Sequence, residues 1–182
     1  DVCSSDLKTG KSNIADTQTA LFEYDGLNCT WTHRSWGTSD DPEYPWAFKL
    51  FGEKGTLCGS TMQYDFIPEG KGDKIHKDVV YEKEKYPEDL KEPEIELNAA
   101  PATRLHMLNF LEAIDKSTKP VADIEEGHIS TASCIIANLS MQLGRPLSYD
   151  PLKRAFTGDA EANKLLQRQY RQPWLHPHPD TV

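Results

Sequence analysis

The sequence predicts an α+β fold, in which an open, largely antiparallel sheet carries helices packed on one face. Three observations lead there. Strand-like runs fill the first half of the chain and helical stripes fill the second, so the elements are segregated rather than alternating β-α-β. Short turn signals separate the strand runs, and short connections join antiparallel neighbours. No internal repeat at solenoid spacing competes with this reading.

Thr17 to Tyr24 is built of β-formers, and Asp25-Gly26 is a two-residue hairpin signal before a second alternating run. In that run Leu27, Cys29, Trp31 and His33 share a face suited to burial. Asn28, Thr30, Thr32 and Arg34 share the polar face. The segment from Thr38 to Pro45 is rich in turn residues and leaves the sheet as a loop. Trp46 to Phe51 is the third strand, turned by Gly52-Glu-Lys-Gly55 into Thr56 to Gly59 and then Thr61 to Ile67, a meander of about five strands. Val79, Val80 and Tyr81 form the one compact β-like island in the charged stretch from Glu69 to Glu94 and read as an edge strand. Ile95 to Leu97 adds a final short strand.

Helical periodicity then takes over. Met107, Phe110, Leu111 and Ile114 fall at i, i+3, i+4 and i+7, which predicts a helix from Ala102 to Lys116. Asp123 caps the next helix, with Glu126 completing a capping-box pattern. Ala132, Ile135, Ile136, Leu139 and Leu143 line one side, and Gly144 and Pro146 stop it. Asp159 caps a third helix that continues through Ala162, Leu165, Leu166 and Gln169-Tyr170 until Pro173 breaks it.

Composition narrows the function classes. Hydrophobic residues at 37% and charged residues at 27% give enough apolar material for a packed core, as in a globular protein. The formal charge of -9 opposes a phosphate backbone, so nucleic acid is not an expected partner. No apolar run approaches the roughly 20 residues that span a bilayer, so no membrane partner is expected either. Cys3, Cys29, Cys58 and Cys134 are scattered without a CxxC, which gives no zinc framework and predicts reduced thiols. Residues 1–15 are expected to be a non-native or disordered leader, because Asp1 to Leu7 is what a common sequencing-adapter end encodes; a natural polar N-terminal segment is the competing reading. Residues 16–174 form the domain, and 175–182 a loose tail.

His33, Arg34 and Trp36 are the first candidates for substrate binding. A guanidinium fork and an aromatic surface at a strand end suit sugar hydroxyls or a carboxylate. The competing reading packs Trp31 and His33 in the sheet core and leaves Arg34 exposed. His128 near a helix start and His106 on the first helix are read as surface and packing residues. Arg171 and Trp174 either close over a neighbouring subunit or missing domain, or simply dock an amphipathic tail. No catalytic, cofactor-binding or metal-ligating residue is assigned. The run Glu69-Gly-Lys-Gly-Asp73 lacks the strand-to-helix setting of a GxGxxG turn and reads as a loop.

Several strings, in order, resemble the C-terminal domain of the Gfo/Idh/MocA oxidoreductase family, in particular bacterial members ending in Tyr-Arg-x-Pro-Trp. They are Asp16 to Ala20 with Phe22 to Tyr24, Trp31 to Gly37, Phe51 to Leu57, Asn109 to Ile114, Ile124 to His128, Gly144 to Leu147 and Tyr170 to Trp174. The resemblance implies a parent with a Rossmann half that binds NAD or NADP and holds the catalytic residues upstream of Asp16, missing from this chain. This part would face the substrate and build a homo-oligomer through the sheet. It further implies an NAD(P)-dependent oxidoreductase, or an NAD-using glycosidase, acting on a sugar, polyol or glycoside, with the fragment alone inactive and no cofactor bound to it. The expected compartment is the cytoplasm, or the periplasm if the missing N-terminus carries an export signal. The alternative from another class is a non-catalytic, sheet-based interaction module.

Overall fold

The computed structural model describes residues 15–39, 41–93, 96–97, 99–168 and 170–175. The chain divides into two compact units, residues 1–121 and 122–182. Its fold class is α+β, with open antiparallel sheets and, among the described residues, three α-helices. The leader expected at 1–15 lies, except for Ala15, outside the described residues, as does the tail beyond Leu175.

In the first unit β1 (Thr17–Tyr24) and β2 (Leu27–Arg34) form a hairpin in register from Thr17 opposite Arg34 to Tyr24 opposite Leu27. Gly26 at φ 76° supplies the left-handed turn residue that the Asp-Gly signal predicts. The pleat sends Gln18, Ala20, Phe22, Cys29, Trp31 and His33 to one face and Thr17, Thr19, Thr30, Thr32 and Arg34 to the other. Trp31 is 55% exposed, so the reading that buries Trp31 and His33 in a sheet core is overturned.

The expected five-strand meander is instead this hairpin and a separate four-stranded sheet, β3 (Phe48–Gly52), β4 (Gly55–Gly59), β5 (Gln63–Pro68) and β6 (Ile75–Asp78), antiparallel in sequence order. The physical reason lies in the connection. The Asp41 carboxylate accepts from the Glu43 and Tyr44 amides, a turn that bends the chain before β3, and Trp46 takes a left-handed φ of 56°. Pairing places Phe48, Leu50, Leu57, Tyr64, Phe66 and Ile75 on one face, with Lys49, Cys58, Asp65 and His76 in one row on the other.

The edge strand is Ile75–Asp78 rather than Val79 to Tyr81. Val79 still donates its amide to the Met62 carbonyl, but Val80 and Tyr81 leave the ladder. Opposite Asp65 the ladder sets His76, and a buried carboxylate demands that kind of partner. Of the short strand expected at Ile95 to Leu97, Ile95 lies outside the described residues. The Glu96 carbonyl instead accepts from the Ala99 and Ala100 amides at the start of a helix.

That helix, α1 (Ala100–Lys116), begins with Pro101 in its first turn and closes on Ser117 at φ 51°. Its stripe of Met107, Phe110, Leu111 and Ile114 is exposed, while Pro101 and Ala113 are buried. Arg104 ties α1 to the 3-10 turn Pro87–Leu90: it pairs with buried Asp89, reaches Glu82, and stacks 3.7 Å from the Tyr86 ring centroid.

In the second unit α2 (Ile124–Leu143) starts and stops as predicted. Asp123 accepts from the Glu125 and Glu126 amides at 2.9 and 3.1 Å, and Gly144 ends the helix at φ 64°. The two-stranded ribbon β7 (Tyr149–Asp150) and β8 (Ala155–Phe156) follows, a feature without a sequence signal. Leu139, Phe156 and Ala162 form the core, with Ile136, Leu143, Leu147, Tyr149 and Leu166 packed around it.

The third helix, α3 (Ala160–Leu165), stops short of the expected end near Pro173. Ala162 and Leu166 face the core, whereas Gln167 and Arg168 are exposed, so no apolar stripe rewards a longer helix. Gln169 lies outside the described residues. Cys29, Cys58 and Cys134 are free thiols.

Candidate functional site

Arg34 closes β2 on the polar face of the hairpin, directly opposite Thr17. Three residues later the chain turns at Gly37, at φ 77°, which lets Trp36 fold back over the same face. Its indole Nε1 donates to the Thr17 hydroxyl at 2.8 Å. The Arg34 guanidinium lies 5.9 Å from the Trp36 ring centroid, within cation–π range, and donates to the Thr38 carbonyl. The Ser35 amide donates to the Asp16 carbonyl at 2.9 Å, so backbone as well as side chains fix the cluster.

Arg34 and Trp36 are therefore brought together, and His33 is not. Strand alternation turns His33 to the opposite face, beside Trp31. Thr19 and Thr32 sit opposite each other next to the Thr17–Arg34 pair, so the end of this face nearest Trp36 carries the hydroxyls of Thr17, Thr19 and Thr32 and a guanidinium. Such a surface offers a flat ring for the C–H face of a sugar and donors and acceptors for its hydroxyls. Thr32 was already on the polar face with Arg34 in the sequence; Thr17 and Thr19 escaped the sequence reading, although the hairpin register that sets Thr17 opposite Arg34 puts them on that face too.

The four-stranded sheet holds a second cluster. Asp65 is 1% exposed and accepts from Lys74 Nζ at 2.8 Å and His76 Nδ1 at 2.7 Å. His76 Nε2 meets Asp78 at 3.2 Å. Burial alone would raise the Asp65 carboxyl, but the hydrogen bonds from Lys74 and His76 outweigh it and hold the group below its ordinary value. His76 is raised above 6.5, first by its hydrogen bond to Asp65 and then, against desolvation, by Asp78. Lys74 is raised by the same carboxylate.

At the other end of the row Lys49 and Asp41 pair at 2.9 Å, which lowers Asp41 and raises Lys49. Sequence reasoning missed these residues. The one available signal was the period-2 run Lys74, His76, Asp78 beside a strand carrying a lone inward Asp65.

Among the described residues no group of three or more His, Cys, Asp and Glu is placed to hold a metal. The Glu69 to Asp73 run joins β5 to β6, two strands, and has no helix N-terminus to receive a pyrophosphate, so it does not fit a dinucleotide. His106 and His128 lie exposed on α1 and α2, and Arg171 and Trp174 are exposed. No described helix is long and apolar enough to cross a membrane.

Residues 59–176 match the model of the Gfo/Idh/MocA oxidoreductase family's C-terminal alpha/beta domain. That span includes Asp65, Lys74 and His76 and leaves Arg34 and Trp36 before it. No curated protein and no solved structure matches the chain.

Proposed function

Since this chain belongs to the Gfo/Idh/MocA oxidoreductase family as its C-terminal alpha/beta domain, we propose that it is the substrate-facing and oligomer-forming part of an NAD(P)-dependent oxidoreductase acting on a sugar, polyol or glycoside. Hydride transfer needs a nicotinamide held against the reacting carbon and a base for the hydroxyl proton. The family supplies both outside this domain, which leaves recognition as its task. The observation that supports the reading is Trp36, its indole held by Thr17 and its ring flanked by Arg34, on a hydroxyl-bearing strand face. The exposed apolar row Phe48, Leu50, Tyr64 and Ile75 on the other sheet supports assembly through that face.

The test uses the 182-residue chain in two fluorescence titrations. NADH is expected to give no binding. A panel of aldoses, polyols and methyl glycosides is expected to include one that perturbs tryptophan emission, with affinity reduced about tenfold by Trp36→Ala, the size of a lost aromatic or cation–π contact. Replacing Thr17 by Val should weaken binding less, because the ring remains but loses its anchor. Tight NADH binding, or sugar binding indifferent to Trp36→Ala, overturns the assignment.

A further inference from the structure

The His76 imidazole stands between two carboxylates, one on each ring nitrogen: Asp65 at 2.7 Å on Nδ1 and Asp78 at 3.2 Å on Nε2. Only the imidazolium donates from both nitrogens; a neutral ring has one N–H and must give up one of the two partners. The strand that carries it has little else to hold it. β6 is an edge strand of four residues, all exposed, joined to β5 by four residue pairs. Its apolar member, Ile75, is half exposed, so burial of apolar surface contributes little to its docking.

The ionic contacts are concentrated at one point. Asp65 is buried, and both cations on it, Lys74 and His76, come from β6 and the residue just before it. Charges on this face are unbalanced. Cys58 is the neighbour of Asp65 in the row toward β4, and Lys49 lies beyond it on β3, paired with Asp41. Glu43 acts on Lys74 through space. Three cations, Lys49, Lys74 and His76, thus answer the four carboxylates Asp41, Glu43, Asp65 and Asp78. Loss of the His76 proton leaves two against four.

We propose that β6 is a proton-dependent edge clasp, docked on β5 by the imidazolium bridge Asp65–His76–Asp78 and loosened when His76 becomes neutral. The sign follows from linkage. A histidine whose folded value lies above 6.5 contributes stability that is fully present below 6.5 and is lost as pH rises through the folded value. Docking is therefore tight in mild acid and looser toward alkaline pH, and Lys74 alone then neutralises Asp65. Opening would be local, because the β3–β4 ladder contains none of these groups except Lys49.

The experiment follows the imidazole resonances of His76 and the amide exchange of the β5–β6 ladder in the intact 182-residue chain from pH 6 to pH 9. Exchange is corrected for intrinsic base catalysis, and the β3–β4 ladder serves as the internal reference. The proposal expects a midpoint above 6.5 and a severalfold loss of β5–β6 protection, relative to β3–β4, across that titration. In His76→Gln the relative protection should not vary with pH. Should that variant not fold, Asp78→Asn carries the test, since Asp78 is 69% exposed and its removal leaves the buried pair intact; it should lower the midpoint and shrink the loss. A midpoint at or below 6.5, a pH response unchanged in His76→Gln, or a midpoint unmoved by Asp78→Asn overturns the proposal.

Discussion

Arg145 grips Asp159, the residue that caps α3, through both terminal guanidinium nitrogens, Nη1 and Nη2, and Nη2 also reaches Glu161 at 2.9 Å. The Asp159 carboxylate in turn accepts from the Ala162 amide at 2.9 Å. One arginine thus fixes the start of the helix that brings Ala162 into the core, which gives the Gly144-Arg145-Pro146-Leu147 string a structural meaning.

This pairing predicts a specific acid response. Arg145 first, and the Ala162 amide second, lower Asp159 to about 2 from 3.8. A depressed carboxyl contributes stability that is present above its unfolded value and lost as pH falls through the folded one. The second unit should lose stability between about pH 4 and pH 2, and Asp159→Asn should remove most of that dependence. Ellipticity at 222 nm followed through an acid titration of both chains checks it; identical curves would falsify the role given to the pair.

Phe156 is buried in the core of the second unit, with Tyr149 edge-on at 5.5 Å between ring centroids. Truncation removes the ring and leaves a cavity, so Phe156→Ala should cost about 3–5 kcal/mol. Urea unfolding of the two chains measures the difference. A loss under about 1 kcal/mol would mean that this core collapses around the gap.

Gly55 opens β4 at φ 144°, where a Cβ would meet the Ile67 carbonyl oxygen at 2.2 Å and the Pro68 Cα at 2.8 Å. Both obstacles are backbone, so no side chain can move aside. Gly55→Ala should separate the start of β4 from the end of β5 and destabilise by more than the ~1 kcal/mol that a glycine-to-alanine replacement gains where the backbone suits alanine. Amide exchange at Thr56 and Ile67 should rise in the variant while the β1–β2 hairpin keeps its native rate.

Leu50 is exposed on the apolar face of the four-stranded sheet, beside Phe48, Leu57 and Phe66. A charge there interrupts any face-to-face association at little cost to the fold, because the site is already wet. Sedimentation equilibrium should show the native chain as a dimer or larger and Leu50→Glu shifted toward the monomer. A native chain that is monomeric at tens of micromolar would remove assembly from the proposed function.

The features legible in the sequence are those that local chemistry decides. Asp25-Gly26 specifies a tight hairpin because Gly26 reaches the left-handed conformation cheaply, and Asp123 and Gly144 bound α2 because capping involves residues two to four apart. The proximity of Arg34 and Trp36 was legible for the same reason, the two lying two positions apart at a strand end. His33 was grouped with them by proximity, and the pleat separates it. What tertiary structure decided is long-range pairing. Asp65 lies 11 positions from His76, Arg145 lies 14 from Asp159, and Arg104 lies 15 from Asp89. In each case a carboxylate drawn from water needs a cation that only the folded chain brings near, a demand that leaves no periodic trace. The same demand moved the edge strand from the β-branched pair Val79-Val80 to Ile75–Asp78, because docking His76 against Asp65 outweighs local β-propensity.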